Sequence, residues 1–286
     1  MNVVQSISLY LQRRLGRQRL RQVGLGAIPF IALLALWQAN TFFGWLEPVY
    51  IPTLASVWEA AFTLQADCPG LAGVVTLDYG CLLTTHILSS LGRVALSLAI
   101  GLPLGVACGV LAGMNRRIAN TLEPIGVFAN AISGIAWIPL AIVWFGIGWL
   151  TTLFILLNTV FWLVFFNTLL GVRSVPRVYE HSVRTLGGSR WAVIFQVCIP
   201  GAMPSIVTGV RMSMGFGWRA LIAAEMIGGD SGLGFMIFVS AQEYKIEEVF
   251  LGVLVIAIIW MLTDRFCLVP LEKWTIHRWG LVWRPT

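Results

Sequence analysis

Apolar residues fall along this chain in long unbroken runs rather than in the two-residue alternation of strands, and the runs are separated by short polar segments. Six runs reach the roughly 20 residues that a helix needs to cross about 30 Å of hydrocarbon: 23–45, 91–114, 124–145, 150–171, 204–227 and 249–268. Only helices and closed barrels satisfy their backbone groups inside lipid, and barrel strands are short and alternating. The pattern therefore predicts an all-α polytopic membrane protein with six transmembrane helices. It divides into an N-terminus 1–22, a first span 23–45, an outer segment 46–90, a core 91–270 and a tail 271–286.

Composition agrees with the pattern. The 286 residues are 58% hydrophobic and 11% charged, with a mean hydropathy of +0.83, too few charges to cover a water-soluble domain. Charge then orients the spans, because loops rich in Lys and Arg stay in the cytoplasm. With residues 1–22 inside, the inner segments are 1–22, 115–123, 171–203 and 265–286, and they hold fifteen of the 19 Lys and Arg. The net charge of +6 thus reads as topology and not as a nucleic-acid footprint. Arg13, Arg14, Arg17, Arg19 and Arg21 precede a first apolar run too long for a cleaved signal, so the expectation is a retained anchor with both termini cytoplasmic.

The outer segment 46–90 carries an amphipathic stretch, 53–64, and two cysteines, Cys68 and Cys81. An outward-facing loop is open to oxidation, which permits a bridge between them; two free thiols is the alternative. Cys108, Cys198 and Cys267 lie in spans or inner loops.

The inner segment 172–202 is unusual. Connections in helical bundles commonly run about 2–8 residues, and this one is far longer and more polar than its surroundings. Pro176 opens it and Pro200 and Pro204 close it. Residues 179–185 read as a short helix, Gly187-Gly188 as a break and 189–198 as a second helix. A structured projection of this kind suits docking onto a partner.

Within the spans, Gly101, Gly105, Gly109 and Gly113 recur every fourth residue, a face that lets a neighbouring helix approach closely, and Pro103 is expected to kink that span. Ionisable groups at membrane depth are costly and mark candidate functional positions. Arg211, Arg219 and Glu225 share one span; Arg219 and Glu225 are six apart, so they face different sides and do not pair. Ser213, Trp218, Arg219 and Glu225 on that span, and Asn130, Ser133, Trp137 and Pro139 on the third, are candidates for lining a route. Glu225 is expected near the outer end in a structural or gating role.

Enzyme chemistry finds no support. His86, His181 and His277 are scattered, with no metal-binding spacing. A phosphate-cradling loop needs G-x-x-x-x-G-K-[ST], and neither Lys245 nor Lys273 follows a glycine. Any ATP-driven movement would have to come from a partner through the 172–202 segment. A secondary transporter or channel is the competing reading, although inverted repeats are not evident.

Residues 181–187 (HSVRTLG), followed ten residues later by Val197-Cys198-Ile199-Pro200, resemble the cytoplasmic signature of ABC-importer permeases, with His181, Ser182 and Val183 standing where that family has Glu-Ala-Ala. Residues 83–93 (LTTHILSSLGR), 135–148 (IAWIPLAIVWFGIG), 167–172 (NTLLGV), 217–234 (GWRALIAAEMIGGDSGLG) and the tail 264–282 are similar to the permeases for nitrate, sulfonates, taurine and bicarbonate. The resemblance implies a type I ABC-importer permease of the bacterial inner membrane, homodimeric, that passes a small solute inward by alternating access. It also implies two ATPase subunits that bind ATP and magnesium, a periplasmic or lipid-anchored binding protein, and no cofactor on this chain. Lipids surround it and nucleic acid plays no part. Glu180, His181, Ser182, Val183, Arg184, Leu186, Gly187, Ile199 and Pro200 would then form the ATPase-coupling element.

Overall fold

A computed structural model describes residues 28–29, 31–32, 34–44, 50–66 and 82–278; Cys68 and Cys81, the N-terminal arginines and the end of the tail lie outside these residues. The described residues form two compact units, Met1–Ala60 and Ala61–Thr286. In the first, residues 34–43 are helical (α1), within the predicted first span. The Trp37 indole N–H donates to the Pro52 carbonyl at 2.8 Å. Thr53 then starts α2 (Leu54–Ala66), its hydroxyl accepting from the Ser56 N–H at 3.0 Å as an N-cap.

The described residues of the second unit are helices joined by short turns and loops. It comprises α3 (Leu82–Met114), α4 (Arg116–Ala131), α5 (Ile138–Phe145), α6 (Trp149–Ser174), α7 (Arg177–Thr185), α8 (Arg190–Val193), α9 (Ile199–Gly228), α10 (Leu233–Gln242), α11 (Ile246–Thr263) and α12 (Val269–Arg278). Among the described residues, four continuous helices are long and apolar enough to span a membrane: Leu83–Met114, Trp149–Ser174, Arg190–Gly228 and Ile246–Thr275.

α6 is the centre, with α3 packed along one side and α9 along the other. The four-residue glycine series of α3 faces α6, against Val160, Val164, Thr168 and Val172 in turn. Gly109 shows why the series is glycine: a Cβ there would lie 2.6 Å from the Thr168 Cβ and 2.9 Å from the Phe165 carbonyl oxygen, closer than atoms can pack. Around this seam Leu156, Val160, Val164, Met214, Trp218 and Leu221 form the largest buried apolar cluster.

Several boundaries differ from the sequence expectation, each for a local reason. The second span begins about nine residues earlier than 91, because the polar residues of its first turns are satisfied inside the protein, and α3 runs on through Pro103 without a break. The inner loop 115–123 is a single residue: Asn115 caps α4, its side-chain oxygen accepting from the Arg117 N–H at 2.9 Å. The third span is not straight. α4 ends at Ala131, Ile132 and Ser133 are extended, and the chain restarts at Gly134 with a bend of 91°. Pro139 opens α5, and its ring would clash with the Ile135 carbonyl in a continuous α-helix, so the turn Gly134–Trp137 is a tighter 3-10 turn.

The fifth span is longer than predicted. The second short helix expected at 189–198 is the start of a 39-residue helix, Arg190–Gly228. Pro200 does not end it, because the preceding turn, Ile194–Cys198, widens to a π-turn closed by the Ile199 N–H on the Ile194 carbonyl. The wider turn frees the Gln196 carbonyl from the proline ring. The same device recurs before Pro270, where the π-turn Asp264–Leu268 carries the sixth span into α12. Between the fifth and sixth spans lies α10, a half-buried helix of 10 residues, too short to cross a membrane.

Candidate functional site

Three constellations stand out. The first is the turn after α7. The α7 sequence ends Arg184-Thr185-Leu186-Gly187-Gly188-Ser189, and each residue has a defined place. Gly187 has φ +82°, the left-handed region. Its N–H donates to the Arg184 carbonyl at 3.0 Å, while the Gly188 N–H reaches back to the Val183 carbonyl at 2.9 Å. This pair of bonds is the Schellman helix stop, which requires a residue free of left-handed strain at Gly187. Ser189 then caps the next helix, its hydroxyl accepting from the Ala192 N–H at 3.2 Å. The stop and the new start are thus only two residues apart, and hydrogen bonds define both.

Around it, Val178, Tyr179, Trp191 and Phe195 are exposed, and Leu186 at the tip is 88% exposed. Trp191 and Phe195 stack with ring centroids 6.1 Å apart. Glu180 and Arg184 pair along α7 at 2.6 Å, and Val183 anchors the helix by packing on the buried cluster of Val193, Cys198 and Ala202. A cavity of about 430 Å³ separates α7 from the ends of α3 and α6, lined by Arg173, Arg177, Glu180, His181 and Arg184 among others. The turn thus carries an exposed apolar rim.

The second constellation is a polar clasp at the other end of α9. Glu225 and Arg93 are both 0% exposed and pair at 2.7 Å. Glu225 also accepts from the Ser90 hydroxyl at 2.8 Å and from the Gly234 N–H at 3.0 Å. Arg93 reaches the Ser231 carbonyl at 2.8 Å and Asp230 at 3.1 Å, with its guanidinium 4.7 Å from the centre of the Trp149 ring. The His86 Nδ1 accepts from the Gly232 N–H at 3.0 Å, and the Ser90 hydroxyl accepts from the Leu233 N–H at 2.9 Å. Four residues of α3 therefore hold the loop 230–234 against α9: His86, Ser89, Ser90 and Arg93. Gly232 has φ +109°, and a Cβ there would sit 2.3 Å from the Glu225 carboxylate, so the loop closes on the acid only with glycine.

The third is a cavity of about 450 Å³ where the chain bends at 132–133, lined by Asn130, Ser133, Asn158, Thr159, Trp162 and Arg219 among others. The Asn158 side-chain oxygen accepts from the Trp162 indole at 3.0 Å.

Residues 101–266, which contain the α7 turn, the bend and most of the α3–α6–α9 seam, match the family of binding-protein-dependent transport system inner membrane components. The chain belongs to that family. Among its relatives, the taurine transport system permease TauC of Escherichia coli is 32% identical over 244 residues, covering 85% of this chain and 86% of TauC. The bicarbonate transport system permease CmpB of Synechococcus elongatus is 31% identical over 262 residues, covering 91% and 92%. A chain of the inward-facing MetNI methionine ABC transporter shares the fold, with a TM-score of 0.51 and 19% identity over 66% of this chain and 96% of that one.

Within this family member, the residues singled out from sequence sort into groups. Glu180, His181, Ser182, Val183, Arg184, Leu186 and Gly187 lie together on α7 and its turn, and Ile199 and Pro200 lie where the π-turn passes into α9. Asn130, Ser133 and Arg219 share the bend cavity. The other pathway candidates lie elsewhere. Ser213 is buried with its hydroxyl on the Val210 carbonyl, and Trp218 is buried beside Trp260, ring centroids 6.3 Å apart. Trp137 packs edge-on to Phe154, and Pro139 starts α5. Glu225 belongs to the clasp.

Arg93 was missed as a functional position, as were His86 and Ser90, because their partners lie more than 130 residues away in sequence. Arg93 had one available signal: an arginine inside an otherwise apolar helix requires a buried partner.

Proposed function

We propose that this chain is the membrane-spanning permease subunit of an ATP-driven ABC importer. It passes a small solute, nitrate, bicarbonate, taurine or another sulfonate, from a periplasmic binding protein to the cytoplasm by alternating access. Two copies of the chain form the route, and two separate ATPase subunits bind ATP and magnesium and cover the α7 turns. Both termini face the cytoplasm.

The observation that carries this reading is the connection between the α7 turn and the clasp. The turn leads through Ser189 directly into the 39-residue helix Arg190–Gly228, about 58 Å of continuous helix. The helix starts beside the projecting apolar rim, passes Arg219 at the cavity, and ends at Glu225 in the clasp. A displacement imposed on the turn is therefore carried toward the clasp along one continuous helix. Nucleotide biases the permease only if the ATPase binds the turn differently in its two states, and the continuous helix links that difference at one end to the clasp at the other.

The relatives support a small anionic or zwitterionic solute, since TauC is named for taurine and CmpB for bicarbonate. The test is co-purification. Detergent-solubilised chain expressed with its genomic neighbours should carry an ATPase whose activity responds to the binding protein, and Leu186→Asp should release that ATPase. A chain that purifies alone and moves solute with an ion gradient would overturn the proposal.

A further inference from the structure

The structure separates the three ionisable groups of α9 by what they touch. Arg211 is paired with Glu272 and lies 3.4 Å from Asp264. Glu225 is held by Arg93. Arg219 has no carboxylate partner among the described residues; its guanidinium lies 5.9 Å from the Phe216 ring centre and lines the cavity at the bend. It sits nine residues before the end of α9 at Gly228, about 14 Å along a helix long and apolar enough to span a membrane.

We infer that this cavity is an intramembrane site for the anionic group of the transported solute, a monovalent oxyanion or sulfonate, with Arg219 as its charge-selecting residue. The inference rests on the permease reading above. An arginine inside a membrane-spanning helix is costly to retain unless something offsets its charge. Most acidic residues described in the spanning helices are committed elsewhere: Glu225 to Arg93, Asp264 and Glu272 to Arg211, Glu123 to Arg173, and Glu248 to Ser240 and Lys245; Glu247 lies in the first turn of α11.

The rest of the lining agrees in chemistry. No carboxylate lines the cavity. Asn130 and Ser133 contribute an amide and a hydroxyl at the bend, where the extended backbone interrupts the helix. Asn158 has its oxygen occupied by the Trp162 indole, so the end left for a ligand is the donating NH2. One cation among neutral donors attracts an anion without trapping it, since passage requires binding that is favourable enough to enter and weak enough to leave. A cation would meet repulsion with no compensating acid, and a neutral solute would gain nothing from the charge.

The test needs no knowledge of the natural solute. In a cysteine-free version of the full chain, purified with its ATPase, Ser133→Cys is reacted with an anionic and a cationic methanethiosulfonate of similar size; Asn130→Cys serves as a second position in the same cavity. Both thiols should react, and the anionic reagent should be favoured relative to a free thiol in solution. Arg219→Gln should lower the anionic-to-cationic rate ratio by about tenfold or more, and Arg219→Lys should restore most of it.

A ratio unmoved by Arg219→Gln, or no reaction at either position with either reagent, overturns the anion site. Co-purification of the ATPase with the unsubstituted chain is scored separately. If the ATPase is present and the ratio does not move, the anion site fails and the importer reading stands. If the ATPase is absent and the ratio moves, the importer reading fails and the anion site stands.

Discussion

Replacing Arg93 with Met tests the clasp with a magnitude that the geometry supplies. The substitution keeps the volume of an unbranched side chain and removes the guanidinium, whose contacts are to Glu225 at 2.7 Å, the Ser231 carbonyl at 2.8 Å and Asp230 at 3.1 Å. Glu225 would keep the Ser90 hydroxyl and the Gly234 N–H but would be a buried carboxylate with no cation. Breaking a buried pair from one side costs about 3–5 kcal/mol. Glu225→Gln is the milder break, because Arg93 retains Asp230 and the Ser231 carbonyl, and about 2 kcal/mol is expected for loss of a charge-assisted bond. Since both substitutions act on one contact, the double variant should be less destabilised than the sum of the singles by about 2 kcal/mol. The assay is unfolding of the purified chain by SDS titration in mixed micelles, followed by tryptophan fluorescence. Two singles that add within about 0.5 kcal/mol, or an Arg93→Met loss below about 1 kcal/mol, would refute the clasp as a coupled unit.

Three further outcomes follow from the same contacts. Gly232→Ala places a Cβ 2.3 Å from the Glu225 carboxylate at φ +109°, so it should destabilise in the same titration at least as much as Glu225→Gln. Gly109→Val drives side-chain atoms into Thr168 and the Phe165 carbonyl, and the α3–α6 seam should open, read as loss of folded chain after extraction. Gly187→Val forces a β-branched residue to φ +82° at an exposed turn with open space around it. Membrane insertion should be normal and ATP-driven uptake should fall, and unchanged uptake would count against the turn as the coupling element.

What was legible in the sequence is what short-range physics writes there. Continuous hydropathy gave the fourth span, 150–171, to within about three residues of Trp149–Ser174. The string Leu186-Gly187-Gly188-Ser189 announced a helix stop and restart because the cap chemistry is local. The glycine series on α3 was readable because its period is that of the helix.

Three features were not readable. The 91° bend at 132–133 lies in an unbroken apolar run, so composition could not reveal it; only Pro139 hinted at it. α10 is apolar but half the length of a span, which leaves its burial to its neighbours to decide. The clasp joins Arg93 to Glu225 across 132 positions, and nothing in either segment specifies the other. Within α9, the partners then place Arg211 on Glu272 and Glu225 on Arg93, with Arg219 lining the cavity.

The most direct measurement of the central claim is solute uptake into proteoliposomes containing the purified chain, with and without its ATPase and binding protein, and with ATP or an ion gradient as the only energy source. Uptake should require all three proteins and internal ATP hydrolysis, and should collapse with Leu186→Asp while the chain remains folded. Uptake by the chain alone, driven by the gradient and indifferent to the turn, would contradict it.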